Sequence, residues 1–162
     1  MPPVFLVKFR QHHLPLNFAH WGIFLPTVPY QGLPTWGVLY HARKHYTSCF
    51  PLQRDTEYER ILNYNLSQSN SLWDAYPLTN VDLTDTQIAF ACSQVSQNRV
   101  FNFIRQNCQE WVKEVIRCLV QVGLVNGGVF EEISLQGWVT LDENCGDCVR
   151  SSLPCNRCRR RS

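Results

Sequence analysis

The chain has 162 residues, 44% of them hydrophobic and 17% charged, which suits one folded domain with a substantial core and excludes a disordered chain. Its formal net charge is only +2, so no global basic field points to nucleic acid. No apolar run approaches the roughly 20 residues of a membrane span.

The opening, MPPVFLVKFRQHH, holds a four-residue apolar run with no basic residue before it, which does not match a secretory signal. The expectation is a cytoplasmic or nuclear protein with reduced thiols, so metal ligation and catalysis gain weight over disulfides for the eight cysteines. VFLVKF (4–9) reads as a strand, and AHWGIFLP (19–26) as a second, closed by Pro26. TVPYQGLPTWG (27–37) is rich in turn residues and reads as a loop. GVLYHARK (37–44) reads as a third strand, YERILNYNLS (58–67) as a fourth, and SLWDAYPLTNV (71–81) as a fifth interrupted by Pro77. Short connections between successive strands point to an antiparallel meander.

The period then changes. LTDTQIAFACSQVSQ (83–97) offers Thr84 or Asp85 as a cap, followed by Ile88, Ala91, Cys92 and Val95 at helical spacing. The clearest element comes next: Cys108, Trp111, Val112, Val115, Ile116, Leu119 and Val120 form one apolar stripe, with Lys113, Glu114, Arg117 and Gln121 on the other side. Gly123 and NGG (126–128) end this helix, and a shorter one is expected around 129–136. After Trp138 the chain turns polar, cysteine-rich and basic, and residues 139–162 read as a tail outside a domain of residues 1–138.

Asn107 and Glu110 in NCQE read as a capping box, which makes Cys108 the first residue of the helix proper. Unpaired N–H groups and the macrodipole at that end favour thiolate over thiol, and the same N–H groups suit an oxyanion hole. Cysteine is also among the most buried residue types, so a packing role stays open. A thiol nucleophile needs an imidazole brought close by the fold. His12, His13 and His45 read as surface residues, whereas His20 opens the second strand and His41 lies inside the third. If those strands are neighbours, the two rings meet on one face.

HWGIF (20–24), LYHARK (39–44) and NCQEWVKEVI (107–116), in that order, resemble the circularly permuted branch of the papain-like NlpC/P60 superfamily. That branch includes lecithin:retinol and H-Ras-like suppressor acyltransferases and the PPPDE isopeptidases. The likeness spans about residues 4–125, and NCQEWV also resembles a segment of small fungal proteins from which no activity carries over. The resemblance implies an α+β fold, a small antiparallel sheet packed against helices with the nucleophile at a helix N-terminus. It implies Cys108 as nucleophile, His20 as general base and His41 as the group that orients His20, with no cofactor for catalysis. The substrate would carry an acyl group, as ester, thioester, amide or isopeptide, and the reaction would be hydrolysis or acyl transfer. The alternatives are a catalytically inactive interaction module of the same fold and a zinc-dependent nucleic-acid binder, the latter disfavoured by the near-neutral charge.

In the tail, Cys145, Cys148, Cys155 and Cys158 form C-x2-C-x6-C-x2-C. Two such pairs suggest a structural zinc site, although six residues is a short separation. A thioacylated basic tail in peripheral contact with a membrane surface, and a tail with spare thiols, are the other readings. Cys49, Cys92 and Cys118 read as ordinary buried or half-buried cysteines.

Overall fold

The structure is a computed structural model that describes residues 3–9, 20–46, 54–71, 73–78, 83–97 and 108–129. Five strands and two helices follow one another: β1 (Phe5–Phe9), β2 (His20–Pro26), β3 (Trp36–Tyr46), β4 (Arg54–Asn65), β5 (Trp73–Pro77), α1 (Asp85–Gln97) and α2 (Cys108–Gln121). The expected α+β architecture is the one observed, an antiparallel five-stranded sheet with helices packed against it.

The sheet order is β4-β3-β2-β1-β5. The first four strands form the expected meander. The fifth does not continue it: β5 returns to the opposite edge and pairs with β1, with Leu6 facing Tyr76 and Lys8 facing Asp74. Both edges of β1 are thereby paired, and its residues are buried on both faces, which explains why FLVKF is almost continuously apolar. Strands β3 and β4 run further than their apolar patterns suggest, so residues 45–46 and 54–57, outside the expected strands 37–44 and 58–67, are strand as well. Between Gly37 and Leu39 the register slips, and β4 takes up one extra residue. Asn63 absorbs it with φ at 54°, a left-handed conformation that asparagine tolerates better than most residues.

Side chains alternate across a strand, and the sheet divides its residues accordingly. Trp21, Ile23, Leu25, Val38, Tyr40 and Ala42 face α1 and α2 in the main core. Phe5, Val7, Phe9, Phe24 and Leu39 face the other way and form a second apolar cluster with Leu66 from the short 3-10 turn Leu66–Gln68.

Helix α1 begins as expected. Thr84 is its cap, in a capping box in which the Gln87 N–H donates to Thr84 Oγ1 (3.3 Å) and the Thr84 N–H to Gln87 Oε1 (2.9 Å). Asp85 does something else. It accepts hydrogen bonds from Arg60 on β4 and Tyr40 on β3, tying the helix start to the sheet. Ile88, Ala91, Cys92 and Val95 are the buried face of α1, as the spacing predicts.

Helix α2 buries Trp111, Val112, Val115, Ile116 and Leu119. Gly123 ends it with φ at 76°, its N–H donating to the Val120 carbonyl (3.0 Å) and the Leu124 N–H to the Leu119 carbonyl (2.9 Å), the pattern of a Schellman motif. The chain turns helical again at 127–129, and the rest of the helix expected there lies outside the described residues.

Candidate active site

His20 is the first residue of β2 and His41 lies within β3, on adjacent strands. His41 faces Gly22 across the ladder, so His20 sits diagonally from it on the same sheet face. The missing side chain at Gly22 makes room there: a Cβ at that position would come within 2.8 Å of Leu39 Cδ1 and 3.5 Å of His41 Cβ. The two imidazoles meet with His20 Nε2 and His41 Nδ1 2.7 Å apart and the rings nearly perpendicular. Phe9 flanks His20 from β1, with ring centroids 6.1 Å apart.

The chain of contacts continues onto β4. His41 Nε2 lies 3.0 Å from Glu59 Oε2, and Glu59 is the cross-strand partner of His41. Arg43, two residues along β3, reaches the same carboxylate oxygen at 3.5 Å. Burial pulls the His20 pKa down to about 3, and the His41 ring and the Arg43 charge push in the same direction. His41 is also lowered by burial, with Glu59 working against that and Arg43 adding to it. Near pH 7 both rings are therefore neutral, each with one N–H and one lone pair.

Cys108 is the first residue of α2 and half-buried. The helix start is anchored by the residues just after it. Trp111 stacks on Tyr58 of β4 with ring centroids 5.7 Å apart and donates through Nε1 to Ser96 of α1 (3.1 Å). Lys113 Nζ stands 5.9 Å from the Trp21 ring centroid. Trp21 adjoins His20, and Tyr58 adjoins Glu59 in sequence. The first turns of α2 thus lie over the end of the sheet at which β2 begins, and Cys108 lies about 4.5 Å of helix rise before Trp111. Alternation along the strands puts the two imidazoles on the face away from the helices. A path from the sulfur to the imidazoles therefore runs round the first residue of β2, not through the sheet.

Two further groups at this end of the sheet were not found from the sequence. Glu59 is one. The other is Lys8, only 1% exposed, with Nζ 4.6 Å from the Trp21 ring centroid and 4.9 Å from that of Tyr76. Burial lowers its pKa to about 8, opposed by the charge of Asp74 across the β1–β5 ladder. A lysine between apolar neighbours in VFLVKF was the available signal.

Cys92 is buried with its thiol pKa pushed up by burial, and Cys118 is half-buried, both in keeping with packing roles. Cys49, His12, His13, Asn107 and the four tail cysteines Cys145, Cys148, Cys155 and Cys158 lie outside the described residues, as does the His45 side chain. Among the described residues no group of three or more His, Cys, Asp or Glu is placed to hold a metal ion, and no helix is long and apolar enough to cross a membrane.

A family model described as "Family of unknown function (DUF6540)" matches residues 4–126. No curated protein and no solved structure matches the chain.

Proposed function

The chain belongs to this family of unknown function, and we propose that it is a cysteine-dependent hydrolase or acyltransferase working through an acyl-enzyme on Cys108. The observation that carries the reading is the paired imidazole system of His20 and His41 at the end of the sheet where α2 begins with Cys108. Two histidines in contact, with a carboxylate behind them, are an unusual use of a buried sheet face unless a proton is to be held or moved there.

In this reading a His20 ring that is neutral near pH 7 removes the thiol proton as sulfur attacks the acyl carbonyl. His41 orients that ring and shares the charge it acquires. Backbone N–H groups at the start of α2 receive the developing oxyanion. The tetrahedral adduct collapses, the leaving group takes its proton from His20, and Cys108 holds the acyl group as a thioester. Water then releases an acid, or an amine or alcohol accepts the acyl group. Esters, thioesters, amides and isopeptides are the substrate class, and the activity belongs to a reducing compartment such as the cytoplasm. Zinc, if bound, serves the tail through Cys145, Cys148, Cys155 and Cys158 and takes no part in this chemistry.

The test is intact-mass spectrometry after incubation with a panel of activated acyl donors and ubiquitin-like C-terminal probes. A covalent adduct of acyl mass on wild-type protein, absent from Cys108→Ala, is the expected result. Absence of any adduct on Cys108 across the panel sinks the proposal.

One observation favours a second reading, a non-catalytic interaction module. The imidazoles share a face with the apolar cluster of Phe5, Phe9, Phe24 and Leu39, where a hydrogen-bonded histidine pair also serves as a satisfied buried polar group. In that case Cys108 labels no faster than the other accessible thiols.

A further inference from the structure

The contacts on β2, β3 and β4 determine where the protons sit. Glu59 Oε2 lies 3.0 Å from His41 Nε2, and a carboxylate only accepts, so His41 Nε2 carries the hydrogen. A neutral His41 then has its lone pair on Nδ1. That atom lies 2.7 Å from His20 Nε2, so His20 Nε2 must be the donor. The remaining nitrogen of His20, Nδ1, is left with the lone pair. The direction of the relay is imposed from its far end, by a residue on a strand that does not touch β2.

We infer that Glu59 is a positioning residue: acting through His41, it holds His20 as the Nε2–H tautomer and makes Nδ1 the one proton-accepting atom of the pair. This rests on the acyl-enzyme reading only for its use in catalysis. When the Cys108 S–H bond breaks, the proton bonds to His20 Nδ1 and the electron pair stays on sulfur. The resulting imidazolium keeps its Nε2–H on His41, and His41 keeps its own on Glu59. No second proton moves. Without an acceptor at position 59, His41 is free to carry its hydrogen on Nδ1, which turns the His20 lone pair toward His41 and away from any nucleophile.

The experiment is long-range 15N–1H correlation of the imidazoles in the full chain at pH 7.5, on wild type, Glu59→Gln and Glu59→Leu. Wild type is expected to show both His20 and His41 as Nε2–H tautomers. Glu59→Gln, whose amide oxygen still accepts, is expected to retain them, and Glu59→Leu to lose them to a mixture. Loss of the tautomers in Leu but not in Gln separates positioning from a loss of folding, which a thermal melt of each variant checks. An Nδ1–H signature for His20 in wild type, or unchanged tautomers in Glu59→Leu, overturns the assignment. The iodoacetamide rate of Cys108 is read in parallel, and a fall of about 10-fold, smaller than loss of the base itself would give, is expected for Glu59→Leu. Expected tautomers beside a Cys108 that accepts no acyl group would end the acyl-enzyme reading while leaving the role of Glu59 intact.

Discussion

His20 and His41 touch across two antiparallel strands, Nε2 to Nδ1 at 2.7 Å, and burial leaves both rings neutral near pH 7. The consequence is a stability that depends on pH. His20 titrates at about 3 when folded and at about 6.5 when unfolded. Between those values the unfolded chain binds more protons than the folded one, so stability rises with pH. The contribution is complete above about pH 6.5 and is lost as pH falls toward 3. Among the described residues, His41 and Arg43 are the titratable or charged groups that act on the ring, and Glu59 lies behind His41. The melting temperature is expected to fall as pH drops from 7 to 5, and to fall less in His20→Leu. A wild-type melting temperature that rises over the same range contradicts the account.

Thiol selectivity is the second expectation. If Cys108 is activated at the helix start with His20 as its base, it reacts with iodoacetamide faster than Cys92 and Cys118, which peptide mapping resolves. His20→Ala is expected to slow Cys108 by roughly 10²-fold, the lower end of what a positioned base contributes, without changing the other two. Equal labelling of all accessible cysteines in wild type favours the interaction module.

Gly37 gives a prediction about packing alone. A Cβ there would fall 2.2 Å from the Leu25 carbonyl oxygen and 2.8 Å from Phe24 Cζ. Neither the backbone of β2 nor a ring in a buried cluster moves freely. Gly37→Ala is expected to cost at least about 2 kcal/mol in urea unfolding. A loss below about 0.5 kcal/mol, the size of an innocuous surface change, would mean the strands are not so closely apposed.

Trp111 tests the seat of the helix that carries Cys108. It is fully buried, stacked on Tyr58 and bonded to Ser96. Trp111→Ala is expected to cost about 3–5 kcal/mol. Trp111→Phe keeps a ring on Tyr58 but loses the bond to Ser96 and part of the indole volume, so its cost is expected to be smaller. Similar losses for the two would mean that the ring retained on Tyr58 contributes little.

Much of the fold was legible in the residues. The stripe from Cys108 to Val120 has the period of a helix, and the structure buries it from Trp111 to Leu119, with Cys108 and Val120 half-buried at its ends. Gly123 marks its end because the φ of 76° found there is strained for any other residue type except asparagine and its like. Strand positions were legible from alternation, but their partners were not. Nothing in WDAYP says that it pairs with β1, because that depends on which edge the meander leaves open. The His20–His41 contact followed from treating two consecutive strands as neighbours. Glu59 did not follow, since its pairing with His41 belongs to the continuous register from Leu39–Ile61 to Tyr46–Arg54, and no local signal says which residue of β4 faces Tyr46. Lys8 was hidden in an apolar run, although its Nζ is held between two aromatic rings in the core.

The placement of β1 between β2 and β5 has a bearing on synthesis. A ribosome releases Phe5–Phe9 more than sixty residues before the strand that completes its outer edge, Trp73–Pro77. During that interval a short, apolar, hydrogen-bond-hungry edge stands open in the nascent chain. Slowing translation before residue 73 should therefore increase aggregation of this protein more than an equal pause placed after residue 77.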